Sequence, residues 1–190
     1  MNFSRQLDSI DCGPACIRMI AAYYGKKYSL NYLRNLSFLS SEGVSIAGIR
    51  DGLEAIGMTV NSFKLPLERL CEFKLPVILH WHQNHFVVLY KITKNKYYWI
   101  ADPAYSKYKL SEEEFCKEWS HGGQGVILIP TPTDLFYQMI PPPENDSIKK
   151  FLLKYLLPFK NEMFQLSLGL LAGVIVSLID RKSTRLNSSH

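Results

Sequence analysis

The order in which hydrophobic periodicity changes along the chain is the strongest constraint on its fold. Three segments with helical spacing come first. One covers Gly13–Tyr24, with Pro14 tolerated in the first turn and Gly25 closing the helix. A short helix capped by Ser29 runs to Leu36, and another capped by Ser45 runs through Ile56 until Gly57 ends it. Strand-like runs follow at Met58–Phe63, Val77–Trp81, His85–Ile92, Tyr97–Ala101 and Val126–Ile129. Ser111-Glu-Glu-Glu114 is a capping-box start for a helix to about Trp119, between the last two strands. Helices first and antiparallel strands later predict an α+β fold.

Composition narrows what such a fold can do. The chain has 190 residues, 47% of them hydrophobic, which is one domain with a real core plus a possible appendage. The net charge of +5 is spread without a long basic block, so nucleic acid is not an expected partner. Four cysteines, Cys12, Cys16, Cys71 and Cys116, are too scattered for a disulfide scaffold and predict free thiols in a reducing compartment. No apolar segment of the signal-peptide kind follows Met1, so the N-terminal region is expected in the cytoplasm.

Beyond residue 130 the chain changes character. Pro130 and Pro132 break the strand pattern, and Pro141-Pro-Pro143 followed by Glu-Asn-Asp reads as a stiff extended linker. An amphipathic stretch at Ile148–Phe159 comes with Lys149, Lys150, Lys154 and Lys160, and an apolar run extends from Met163 to Ile179. At roughly 1.5 Å per residue that run reaches about 25 Å, slightly short of a ~30 Å hydrocarbon core. It is read as a truncated first transmembrane helix with its N-terminal side in the cytoplasm, against the alternative of a buried soluble helix. Residues 181–190 are polar, read as a non-native tail, and are set aside.

Asp11-Cys12-Gly13-Pro14 carries the most chemistry. Cys12 falls where the first helix begins, where the positive end of the helix dipole favours the nucleophilic thiolate. Gly13 is read as room for a substrate backbone, and Cys16, Cys71 and Cys116 as packing residues. A thiolate needs a base, and the candidates are His80, His82, His85 and His121. If Lys94-Asn95 is a two-residue hairpin loop, residue 85 lies opposite residue 104 and Asp102 shares the face of His85 as a diagonal neighbour. One hairpin then delivers His85 as base and Asp102 as its orienter, whereas a slip of one residue would separate them. A rival reading gathers His80, His82 and His85 around a metal ion. His80 and His82 are otherwise ordinary strand residues and His121 a loop residue. Gln6, in the segment leading into the helix, can pair its side-chain amide with the Cys12 backbone N–H as an oxyanion hole.

Read together, Gln6-Leu-Asp-Ser-Ile-Asp-Cys12-Gly-Pro-Ala-Cys16, Tyr24-Gly25, Pro76-Val-Ile-Leu-His80-Trp81, Asn84-His85-Phe-Val-Val-Leu-Tyr90 and Ala101-Asp102-Pro103-Ala104 closely resemble one family. It is the N-terminal cysteine peptidase domain of peptidase-containing ABC exporters, which process bacteriocins. The resemblance runs from about Gln6 to Ile129. It implies a papain-like fold that cleaves after the Gly-Gly pair ending the leader of a secreted peptide. By matching motif, Cys12 is the nucleophile, His85 the general base, Asp102 its orienter and Gln6 the oxyanion donor. No cofactor is implied for this chain; ATP and Mg belong to the transporter part, and no phosphate-binding Gly-x-x-x-x-Gly-Lys-Ser/Thr motif is present. The implied partners are a leader peptide, the transporter domains, the membrane and a second copy in a homodimer. The implied location is the cytoplasmic side of a bacterial inner membrane. The division that follows is a peptidase domain at 1–135, a linker at 136–147, an amphipathic segment with the start of a transmembrane helix at 148–180, and the tail. The alternatives are a docking domain that binds leaders without cutting them, or an amidase or transglutaminase.

Overall fold

The computed structural model describes residues 1–37, 43–82, 84–143 and 157–187, with side chains of the last segment described only as far as 175. Two compact units divide at Glu144/Asn145.

The first unit begins with α1 (Cys12–Tyr23), α2 (Leu30–Leu36) and α3 (Ile46–Ala55). Their starts and stops have local causes. Ser29 and Ser45 each accept a hydrogen bond from the backbone N–H three residues on, which satisfies a donor the helix itself cannot. Gly25 and Gly57, at φ +92° and +86°, turn the chain out of α1 and α3 in the left-handed region where a Cβ is costly. Strands β1 (Met58–Leu65), β2 (Val77–Trp81), β3 (His85–Ile92), β4 (Tyr98–Ala101), β5 (Lys107–Leu110) and β6 (Gly125–Pro132) follow. Interspersed are α4 (Leu67–Leu70), α5 (Glu112–Trp119) and α6 (Asp134–Gln138). The expected capping box at Ser111 and Glu114 forms at the start of α5.

The strands make one antiparallel sheet in the order β1-β6-β2-β3-β4-β5. Alternation along β2 and β3 sends Ile78, Phe86 and Val88 to one face with α1, α2 and α3. Val77, Leu79, Val87 and Leu89 go to the other face, where Phe115 and Trp119 of α5 cover them. Burial on both faces explains why these two strands read as nearly continuous apolar runs. The sequence reading missed β5 and α6. β5 is an edge strand of Lys-Tyr-Lys-Leu whose side chains are exposed or half-buried, so it carries little apolar signal. Strand β6 also runs past Pro130 to Pro132, because its pairing with β2 stops at Leu128 and leaves that side without a ladder for the prolines to interrupt.

The second unit is described through one helix, α7 (Lys160–Asn187). Among the described residues no helix is long and apolar enough to cross a membrane, so the expected transmembrane helix is not found there. Gln165 and Ser167 interrupt the run near its start, and α7 continues through Arg181 and Lys182 instead of stopping at the apolar boundary. The amphipathic lysines at 149, 150 and 154, and the linker beyond residue 143, lie outside the described residues.

Candidate active site

The site forms at one end of the sheet, where the N-terminus of α1, the start of β3 and the end of β4 converge. Cys12 is the first residue of α1, with its side chain almost wholly buried. Gly13, expected to make room for a substrate, faces inward instead. A Cβ there would meet Val44 and Ile49 at 3.0–3.3 Å, so its bareness serves the close approach of α1 to α3.

His85 and Asp102 meet as their shared hairpin predicts, although the hairpin differs from the expected one. The loop holds three residues, with the Thr93 N–H bonded to the Tyr97 carbonyl at 3.0 Å and Lys96 left-handed at φ +56°. Near the loop Ile92 pairs with Tyr98 and Lys91 with Trp99. That register, continued, would have put Asp102 on the face opposite His85. A bulge between Leu89 and Lys91 absorbs Tyr90 and restores the expected register, Leu89 with Ile100 and Val88 with Ala101. One more step sets Asp102 opposite Val87, on the face that His85 occupies.

The His85 Nε2 lies 2.8 Å from Asp102 Oδ1, and Cys12 is near enough to raise the ring's proton affinity. With Nε2 engaged by the carboxylate, Nδ1 is left for the sulfur. Burial alone would lower the proton affinity of His85. The hydrogen bonds and charges of Asp102 and Cys12 outweigh it and raise the pKa to about 9, so the ring is an imidazolium at neutral pH. Asp102 is buried, and its Oδ1 also accepts the Ala104 N–H at 2.9 Å. Its Oδ2 accepts the Tyr108 hydroxyl at 3.4 Å. Burial first, then the Asp102 carboxylate, pushes the Tyr108 phenol above its ordinary value, so it stays a donor. Gln6 lines the same cleft as His85 and Asp102, with its backbone N–H bonded to the Pro103 carbonyl at 3.0 Å. The cleft holds about 780 Å³ and extends past Trp81, Tyr105 and Tyr108 to Glu118 of α5.

The remaining histidines diverge. His82 Nε2 sits 2.7 Å from Glu118, while the His80 ring tilts against Phe86 with centroids 5.0 Å apart. Among the described residues no three metal-ligating side chains gather. Cys16 packs as expected, fully buried with its thiol on the Phe86 carbonyl at 3.3 Å, and burial pushes its pKa up. Cys71 does not: it follows the single turn of α4, whose buried residue is Leu70, and it is exposed. Tyr108 was missed by the sequence reading, since only a tertiary contact connects it to the site.

Residues 1–134 match the Peptidase C39 family. Among curated proteins, the chain is 39% identical over 112 residues to the colicin V secretion/processing ATP-binding protein CvaB of Escherichia coli, covering 59% of this chain and 16% of that one. It is also 39% identical over 133 residues to the lactococcin-G-processing and transport ATP-binding protein LagD of Lactococcus lactis, covering 67% and 18%. The chain thus spans under a fifth of the length of these relatives. Among solved structures, a double glycine motif protease from an AMS/PCAT transporter in complex with the leader peptide superposes with a TM-score of 0.64. Identity there is 32%, over 70% of this chain and 91% of that one. The peptidase domain of Streptococcus ComA, a bi-functional ABC transporter, gives 0.62 at 29% identity, over 68% and 97%. The match over residues 1–134, more than half of the chain, places it in the Peptidase C39 family, a family of cysteine peptidases.

Proposed function

We propose that the chain is the leader peptidase part of a peptide exporter, cutting after the Gly-Gly pair that ends the leader of a secreted peptide. The observation that carries this reading is the 2.8 Å contact of His85 with Asp102, made by a ring that also reaches Cys12. The relatives named as processing and transport proteins, and the neighbour bound to a leader peptide, supply the substrate class.

The reaction uses groups of this chain and one water molecule. The Cys12 sulfur, as thiolate, attacks the carbonyl carbon of the second glycine while the His85 imidazolium holds the proton. The carbonyl oxygen becomes an oxyanion, which the Gln6 side-chain amide and the Cys12 backbone N–H stabilise. His85 then protonates the leaving amine, and the C–N bond breaks to leave a thioester on Cys12. The ring, now neutral, takes a proton from water, whose oxygen attacks the thioester to release the leader with a free carboxylate. Asp102 keeps the ring oriented and stabilises its charged form in both half-reactions. Within the parent exporter, the peptidase lies on the cytoplasmic side of the membrane, the segment after residue 147 leads to the transporter domains, and two copies assemble as a dimer.

The test is incubation of the full chain with a synthetic peptide whose helical apolar leader ends in Gly-Gly, followed by mass spectrometry. Cleavage after the second glycine, absent in Cys12→Ala, is the expected result. Binding of the peptide by both proteins without cleavage by either would make this a docking domain.

A further inference from the structure

An oxyanion donor must be held to within about half an ångström, and a loop is a poor platform for such precision. Gln6 lies on a loop, and its buried Oε1 has no hydrogen-bond partner among the described residues, so its placement depends on the backbone that carries it. That backbone is tied at two ends. At one, the Gln6 N–H donates to the Pro103 carbonyl, next to Asp102. At the other stands Asp11, fully buried directly before Cys12.

Asp11 sits at the N-cap position of α1, yet its side chain makes no capping bond to the helix. Its Oδ2 instead turns back to accept the N–H groups of Asp8 at 2.9 Å and Leu7 at 3.2 Å, the residues just after Gln6. Arg34 of α2 closes on the same carboxylate through Nε, 2.7 Å from Oδ1, and Nη2 on Oδ2. The guanidinium is itself braced by Asn31 at 2.8 Å. Burial raises the proton affinity of Asp11, but Arg34 and the two backbone donors outweigh it, so the group remains a carboxylate. Burying a carboxylate against a half-buried arginine is a poor way to gain stability, since apolar residues of similar volume do as well or better. What this pair supplies is a fixed path for residues 6–11.

We propose that Asp11 and Arg34 are positioning residues for the reaction, holding the 6–11 strap so that the Gln6 amide faces the carbonyl oxygen over Cys12. The inference rests on the reading of Gln6 as the oxyanion donor, and a double-mutant cycle separates the two. In the full chain, Gln6→Ala, Asp11→Ala and their combination are assayed for leader cleavage. Binding of a leader peptide ending in glycinal, whose adduct with Cys12 places an oxygen in the same hole, is measured in parallel.

Asp11→Ala is expected to lower kcat roughly 10- to 100-fold with KM unchanged and to weaken glycinal binding by a similar factor. The limiting rate of Cys12 alkylation by iodoacetamide at high pH should stay within about twofold, because the strap and not the sulfur is disturbed. The combined variant should lose no more than Gln6→Ala alone. Asp11→Asn, which keeps an acceptor for Leu7 and Asp8, should recover part of the loss, and it carries the test if Asp11→Ala does not fold. Losses that multiply in the combined variant, or alkylation that falls together with kcat, would overturn the positioning role while leaving Gln6 in place. Full activity in Gln6→Ala would sink the oxyanion reading itself, and this proposal with it.

Discussion

In the proposed reaction, His85 is the residue whose environment sets the working pH. With its pKa raised to about 9 by Asp102 and Cys12 against the cost of burial, it is already charged when the leaving amine needs a proton. The kcat/KM for leader cleavage is therefore expected to fall on the alkaline side with an apparent pKa near 9, and a flat profile from pH 7 to 10 would contradict the assignment. Gln6→Ala should cost roughly 10²–10³-fold in turnover with the thermal midpoint unchanged, the usual loss for one oxyanion donor. Tyr108→Phe removes the long 3.4 Å bond to Asp102 Oδ2 and should cost about two- to fivefold in kcat, measured in the same assay. Cys12, His85, Asp102 and Gln6 could be named as candidates from the sequence because their residue types and local settings carry chemical meaning. Tyr108 was not, since its strand has almost no apolar signal. Asp11 and Arg34 are brought together only by the packing of α2 beside α1.

At the scale of elements, the β3–β4 hairpin shows how a correct pairing can arise from two compensating departures. The extra loop residue and the bulge at Tyr90 each shift the register by one, in opposite senses, and His85 and Asp102 share a face because both are present. Neither departure has a sequence marker, since Lys96 holds the left-handed position where glycine is the usual signal. Caps were far easier to read. Ser29, Ser45 and Ser111 all act within three residues of themselves, so local chemistry decided them. Helix α5, which walls the far side of the cleft, is seated by Trp119, whose indole N–H donates to the Val126 carbonyl at 3.2 Å. A Cβ on Gly125 would come within 2.1 Å of that ring. Gly125→Ala should destabilise the fold by about 1–3 kcal/mol, read as a lower thermal midpoint, through overpacking in a full core.

On the scale of the whole molecule, the first unit carries both apolar clusters and every candidate site residue. Its stability should depend on pH through His85. A group whose folded pKa is raised from 6.5 to about 9 contributes stability that is complete below pH 6.5 and is lost as pH rises through 9. That contribution is at most about 3 kcal/mol. The thermal midpoint is therefore expected to decline from pH 6.5 to 9, and His85→Gln should flatten the decline in a melting series across that range. By itself, the sequence determined the α+β class and most element boundaries, and it singled out Cys12 as a candidate nucleophile. Those follow from short-range rules: capping, periodicity, and the chemistry of a thiol at a helix start. Only the tertiary structure decided that Gly13 serves packing, that Cys71 is exposed, and that a buried carboxylate and an arginine brace the strap before Cys12. Each of these depends on which surfaces meet across long stretches of chain, and no local pattern records that.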